Sequence, residues 1–377
     1  MKKIIGRSIE KQIEKYLFKN KIIILYGARQ VGKTFLSKKI AKGKHSLYLD
    51  CEKISVREVI ESQNLERIKS FLGEKKLVIL DEAQKVKNIG TSLKLLVDHH
   101  PNMQIIATGS SSFDLSNKVL EPLTGRNFKF NLYPFSLSEL KKNLSPENFS
   151  EKLESFLRFG MYPDVALSET EEEARFKLDE IANDYLYQDV LAFEKLKKPD
   201  LLLKLLQAIA LQLGNEVSFR ELASLLQTSG ETVQRYLDLL EKTFVIFKLH
   251  SFSRNLRKEI GKKIKIYFYD LGIRNSLIQN FAPLNLRNDI GALWENFCIS
   301  ERIKINQERL KKVNKYFWRT YSQKEIDYIE EKDGLLEAYE FKWSPRKKPK
   351  APQEFLENYQ NSSFEIISRE NYGEFLL

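Results

Sequence analysis

A chain of 377 residues is long for one domain and points to two or three, and a hydrophobic fraction of 42% excludes wholesale disorder. The formal net charge of +11 favours a polyanionic partner, nucleotide or nucleic acid. Two distant cysteines, Cys51 and Cys298, exclude a disulfide framework and a cysteine-built zinc site, and no HExxH spacing is present. No apolar run approaches the roughly 20 residues of a bilayer span, so the expectation is a cytoplasmic protein without a membrane partner.

The first predicted element is Ile22-Ile23-Ile24-Leu25-Tyr26, a continuous apolar run of the kind found in strands buried on both faces. Leu47-Tyr48-Leu49, Leu77-Val78-Ile79-Leu80 and Gln104-Ile105-Ile106-Ala107 repeat the signal, with helical stretches at Thr34 to Ala41 and Ile89 to His99 between them. Strand–helix alternation predicts a parallel α/β sheet over residues 1–134, closed by Phe128 to Leu132.

Directly after the first strand, Gly27-Ala28-Arg29-Gln30-Val31-Gly32-Lys33-Thr34 fits G-x-x-x-x-G-K-[ST] at every fixed position. Its glycines let backbone N–H groups curl round a phosphate, and the following helix adds partial positive charge. Lys33 is expected to reach the β- and γ-phosphates and Thr34 to hold Mg²⁺. The strand Leu77 to Leu80 runs into Asp81-Glu82, which places two carboxylates at the carboxyl edge of the sheet. Asp81 is the expected second Mg²⁺ partner and Glu82 the residue that polarises the attacking water. A third strand ends in Thr108-Gly109-Ser110-Ser111, where Ser110 is the expected γ-phosphate contact. Arg126, in Leu123-Thr124-Gly125-Arg126, is a candidate for stabilising transferred charge, in cis or from a neighbouring subunit of a homo-oligomer.

Residues 135–213 read as helical and lid-like. Residues 214–287 read as a helix-turn-helix with a following strand. Leu222, Leu225 and Leu226 share one face of its first helix, and Val233, Tyr236, Leu237 and Leu240 form the stripe of its second. Thr228 with Glu231 reads as a capping box for that second helix. Its polar face, Glu231, Gln234, Arg235, Asp238 and Glu241, would repel phosphates and is a poor groove reader. Candidate DNA contacts gather instead at 251–275 (Arg254, Arg257, Lys258, Lys262, Lys263, Lys265, Arg274) and 341–350 (Lys342, Arg346, Lys347, Lys348, Lys350), although a solvated lysine face explains such runs equally well.

Residues 288–377 read as a final α/β segment. Lys332-Asp333-Gly334-Leu335 is a strong hairpin signal, and a two-residue Asp-Gly turn puts Asp327 opposite Glu340, Cβ atoms roughly 5 Å apart. Lys342 points to the same face. Asp, then Glu-x-Lys on the adjoining strand, resembles the PD-(D/E)xK nucleases, and Glu295 on the preceding helix matches the acid such folds supply from their first helix. Such a site would hold a second Mg²⁺ or Mn²⁺ at Asp327 and Glu340, with Lys342 orienting water.

The loop from Gly27 to Thr34, Asp81-Glu82-Ala83-Gln84, Thr108 to Ser111 and Leu123 to Arg126 together resemble the prokaryotic AAA+-type ATPases with a C-terminal domain of unknown function. The likeness continues through Gly160-Met161-Tyr162-Pro163, Tyr267 to Gly272 and Gly291 to Phe297. It implies an α/β fold: a P-loop NTPase of the AAA+/ASCE kind, then a helical lid, a winged helix-turn-helix and a PD-(D/E)xK-like domain. The resulting expectation is an ATP- and Mg²⁺-dependent ATPase, nucleotide-controlled and DNA-associated. Two alternatives stay open: an ATP-gated nuclease, and a protein-binding switch with a degenerate nuclease fold.

Overall fold

The computed structural model describes residues 4–109, 122–184, 199–252, 264–320, 322, 324–344 and 350–377. The chain forms two compact units, one comprising residues up to Pro134 together with Lys242–Phe244, the other most of the remainder.

The first unit is built on five parallel strands in the order β2-β3-β4-β1-β5: β1 Ile22–Tyr26, β2 Ser46–Asp50, β3 Leu77–Asp81, β4 Gln104–Gly109 and β5 Asn127–Asn131. Every residue of β1, β3 and β4 is buried, as their unbroken apolar runs require, while the edge strands β2 and β5 are partly exposed. Helices between them bury i, i+4 pairs: Leu36 and Ile40, Val56 and Ile60, Ile68 and Leu72. Because all five strands run the same way, the segments leaving β1, β3 and β4 emerge on one edge of the sheet.

The second unit begins with helices Leu137–Lys141, Pro146–Phe159, Pro163–Ala166, Glu171–Asp184 and Pro199–Leu211. It then lays down β6 Glu216–Val217, the helix pair Phe219–Leu225 and Gly230–Lys242, β7 Ile246–Ser251 and β8 Ile264–Phe268. After helices Leu271–Leu277 and Ile290–Glu308 come β9 Asn314–Arg319, β10 Glu325–Lys332, β11 Leu335–Phe341 and β12 Ser362–Ile367. All seven strands form one sheet, β12-β11-β10-β9-β7-β8-β6, with β7 and β9 joined in parallel at His250↔Tyr316 and Ser251↔Phe317. The expected boundaries after residues 213 and 287 therefore do not separate compact units. A sheet that is continuous through hydrogen bonds cannot be parsed from composition.

The Asp333-Gly334 turn has both residues at positive φ, 54° and 82°, the geometry of the two-residue turn that the sequence signals. Its ladder pairs Tyr328 with Tyr339 and Lys332 with Leu335, the expected register. On the other side of β10, the pairing with β9 shifts between Ile326 and Ile329, a bulge that spans Asp327 and Tyr328. Helix Gly230–Lys242 is capped by Ser229, which accepts from the Thr232 N–H at 3.2 Å, rather than by Thr228. Its Asp238 and Glu241 hold Lys248 of β7.

The motifs that carry the resemblance beyond the first unit are packing devices. Asp270 caps helix Leu271–Leu277, accepting from Gly272 N at 2.9 Å, and its other oxygen accepts from Met161 N at 2.7 Å. Gly160, at φ 81°, leaves room for this: a Cβ there would sit 2.0 Å from Asp270 Oδ1. Helix Ile290–Glu308 docks through Asn296, whose amide bonds both Phe268 N and Phe268 O at 2.8 Å. Arg302 on the same helix grips the buried carboxylate of Glu330 at 2.9 and 3.1 Å.

Candidate functional site

The loop between β1 and helix Lys33–Ala41 reverses through two left-handed residues, Gln30 at φ 58° and Gly32 at φ 94°. Arg7 braces it, donating to Val31 O and to Tyr133 O, each at 2.6 Å. Lys33 is buried, and its Nζ donates to Gly27 O at 3.0 Å and Ala28 O at 2.8 Å. The lysine thus folds back over the loop it follows, with the loop carbonyls holding its ammonium in place.

Asp81, at the end of β3, stands beside the loop and accepts from three hydroxyls. Thr34 Oγ1 donates to Asp81 Oδ2 at 2.7 Å, Tyr48 OH donates to the same oxygen at 2.6 Å, and Thr108 Oγ1 donates to Oδ1. Burial, with the Asp81 carboxylate second, pushes the Tyr48 phenol well above its ordinary pKa, so it stays a donor. The next residue, Glu82, sits in the left-handed region at φ 53°, ψ 42°. Its N–H donates to Thr108 Oγ1 at 3.2 Å, and its carboxylate accepts from Gln84 Nε2 at 2.5 Å. Loop, Thr34, Asp81 and Glu82 thus converge on the carboxyl edge of one sheet.

Three residues here were not singled out from sequence: Arg7, Tyr48 and Thr108. Thr108 lies two positions before Ser110, and β3–β4 pairing was enough to mark it. Tyr48 is reachable only once β2 is known to lie beside β3, where Asp50 pairs with Asp81. Ser110 lies outside the described residues. Arg126 is corrected: it precedes β5, its carbonyl accepts from Ile22 N at 2.9 Å, and its Nε pairs with Asp98 at 2.7 Å. That is the amino edge of the sheet, about 15 Å of strand from the loop at the opposite edge, so Arg126 cannot serve its own chain's loop.

In the second unit the residues of the nuclease-like set do gather. Glu340 Oε1 lies 2.7 Å from Lys342 Nζ, and Asp327 Oδ2 accepts from Phe341 N at 2.9 Å. Burial, and then the Asp327 charge, raise the pKa of the Glu295 carboxyl to about 8. Burial likewise raises Asp327 and Glu340. A residue expected elsewhere stands among them: Lys265 Nζ lies 3.1 Å from Glu295 Oε1, pairs with Glu325, and is 4.0 Å from Asp327 Oδ1.

This corrects the basic-stretch expectation for two positions. Lys265 is 1% exposed, and Arg274 is buried with its Nη1 2.6 Å from Asp289 Oδ2, so neither can meet a phosphate backbone. Alternation on a strand and a helix turned inward put them inside. Arg254, Arg257, Lys258, Lys262, Lys263, Arg346, Lys347 and Lys348 lie outside the described residues.

Residues 19–141 match the family described as an AAA domain; residues 150–284 and 290–371 match two domains of unknown function, DUF8612 and DUF4143. An uncharacterised protein of Mycobacterium tuberculosis is 26% identical over 340 residues, spanning 89% of this chain and 73% of its own. Another, of Methanocaldococcus jannaschii, is 28% identical over 361 residues, spanning 89% and 78%. The Walker-type ATPase of Pyrococcus abyssi superposes with a TM-score of 0.51 at 18% identity, covering 73% of this chain and 96% of that one. Residues 19–141 thus carry an α/β fold with a parallel sheet and are similar to AAA domains, and the fold as a whole is similar to that of a Walker-type ATPase. Among the described residues no helix is long and apolar enough to cross a membrane.

Proposed function

We propose that the protein binds ATP with Mg²⁺ at the Gly27–Thr34 loop and hydrolyses it, and that the second unit responds to the nucleotide state. The observation that carries this reading is the convergence of Thr34, Asp81 and Glu82 beside a loop that ends in a helix N-terminus. The residues fit the group: a hydroxyl and a carboxylate 2.7 Å apart are the usual Mg²⁺ partners of such a loop, and a lysine stands one residue before the hydroxyl. The bound cation would supply charge neutralisation at the phosphates. The chain's own part is to exchange the Lys33 contacts with Gly27 O and Ala28 O for phosphate oxygens. Asp81, fixed by Tyr48 and Thr108, keeps its carboxylate facing the loop, and Glu82 orients the attacking water. Ser110 is retained as a γ-phosphate contact. Arg126 is left with a role from a neighbouring copy, which would show as a specific activity that rises with protein concentration.

Lys33→Ala tests the assignment. ATP binding by calorimetry should weaken at least about tenfold and phosphate release should vanish; unchanged turnover would overturn it.

The helix pair Phe219–Leu225 and Gly230–Lys242, flanked by β6, β7 and β8, supports reading that region as a winged helix. Helix Ile290–Glu308 with β9 to β12 supports a PD-(D/E)xK-like scaffold. With Lys265 and Arg274 buried, DNA association would have to rest on the other basic residues of the two stretches. It requires binding that falls steeply with salt; salt-insensitive binding would favour a protein partner.

A further inference from the structure

A PD-(D/E)xK constellation implies a divalent cation among its carboxylates, so the fit of the residues present decides what this centre can do. Four acids from three elements converge: Glu295 from helix Ile290–Glu308, Glu325 and Asp327 from β10, and Glu340 from β11. A two-plus ion needs several free carboxylate oxygens at 2.0–2.6 Å and room for water. Here each of the four carboxylates already has a cation or an N–H donor against at least one oxygen. Glu295 Oε1 accepts from Lys265 Nζ at 3.1 Å and from Tyr267 OH at 2.5 Å. Glu325 pairs with Lys265 and lies 3.7 Å from Arg319. Asp327 has the Phe341 N–H on one oxygen and the Lys265 ammonium 4.0 Å from the other. Glu340 Oε1 is held by Lys342, the lysine that would otherwise orient water.

An ammonium that is 1% exposed and lies within 4.0 Å of three of these carboxylates stands where the ion would have to be. Two cations at such spacing repel each other strongly, the more so where one is buried. The aromatic wall reinforces the choice, since Lys265 Nζ also lies 5.6 Å from the Phe317 ring centroid. One acceptor, Glu340 Oε2, is buried without a hydrogen-bond partner. Among the described residues no group of three or more His, Cys, Asp and Glu side chains is arranged to hold a metal ion.

We propose that Lys265 is the permanent cation of this centre, occupying the place a divalent ion would take, so that the second unit binds no Mg²⁺ or Mn²⁺ there and cleaves no phosphodiester. The second expected metal, at Asp327 and Glu340, is thereby withdrawn. The lysine comes from β8, two strands beyond β9 in the sheet, and its positive charge is covalently fixed rather than exchangeable.

The experiment is Mn²⁺ titration followed by electron paramagnetic resonance, on nucleotide-free full chain carrying Thr34→Ala so that the first unit does not contribute. That background should take up no Mn²⁺ that Asp327→Asn removes, and should leave DNA and RNA uncut. Adding Lys265→Met should create one site at least about tenfold tighter than any in the background, lost again when Asp327→Asn is added. If Lys265→Met does not fold, Lys265→Met with Glu295→Gln removes one carboxylate along with the ammonium and carries the same test. A background protein that binds Mn²⁺ through Asp327, or that cleaves nucleic acid in a manner lost on Glu340→Ala, overturns the proposal. So does a folded Lys265 variant that gains no site. None of these results bears on ATP binding by Lys33 and Thr34.

Discussion

Tyr48→Phe removes one oxygen atom and nothing else from the proposed nucleotide site. The phenol donates to Asp81 Oδ2 at 2.6 Å, an oxygen it shares with Thr34, while Thr108 holds the other. When Thr34 turns its hydroxyl to a cation, Tyr48 is the donor left to keep Oδ2 in place. A hydrogen bond to a charged acceptor contributes about 1.5–3 kcal/mol, which corresponds to roughly ten- to hundred-fold, the range seen when a partner behind a metal ligand is removed. Phosphate release measured across a Mg²⁺ titration should therefore show kcat/KM lowered by about that factor, with the half-saturating Mg²⁺ concentration raised. The ring stays, and with it the Lys38 ammonium 3.9 Å above it, so the loss of stability should not exceed the about 1.5–3 kcal/mol of that one hydrogen bond. An unaltered Mg²⁺ dependence would refute the idea that Tyr48 positions Asp81.

Two further outcomes probe the second unit. Gly160→Ala places a methyl group 2.0 Å from Asp270 Oδ1 at φ 81°, displacing a carboxylate that caps a helix and holds Met161; it should cost at least about 3 kcal/mol in urea unfolding. Asp289 is subject to burial, which would raise its pKa, but Arg287 and Arg274 outweigh this and bring it down to about 2. Because the folded value lies below the unfolded one, its stabilisation is present above about pH 4 and lost as the pH falls toward 2. Asp289→Asn should thus cost about 2 kcal/mol at neutral pH, and its unfolding midpoint should converge on that of the parent as acid is added.

The parts visible in sequence were those written in local pattern. The apolar runs of β1, β3 and β4 are unbroken because both faces are buried, and the loop signature is contiguous, so the first sheet and Lys33, Thr34 and Asp81 could be read directly. Asp333-Gly334 fixed a hairpin register for the same reason: a two-residue turn leaves no freedom. What stayed hidden depended on which strands become neighbours. Tyr48 matters only through the β2–β3 pairing. Arg126 follows Gly125 in a run that suggested catalysis, yet strand direction carries it to the far edge. Lys265 looked like one more surface base because its partners, Glu295, Glu325 and Asp327, are 30 or more residues away. The bulge at Asp327 leaves no mark in composition at all.

The parallel pairing of β7 with β9 has a practical meaning for anyone dividing this chain. A fragment that stops near residue 287, a natural choice from the motif map, would strip β7 of its partner along His250 and Ser251 and leave a raw backbone edge open to self-association. Cloning the helix-turn-helix region alone would then report clumping, and an honest assay of its binding would need everything through β12.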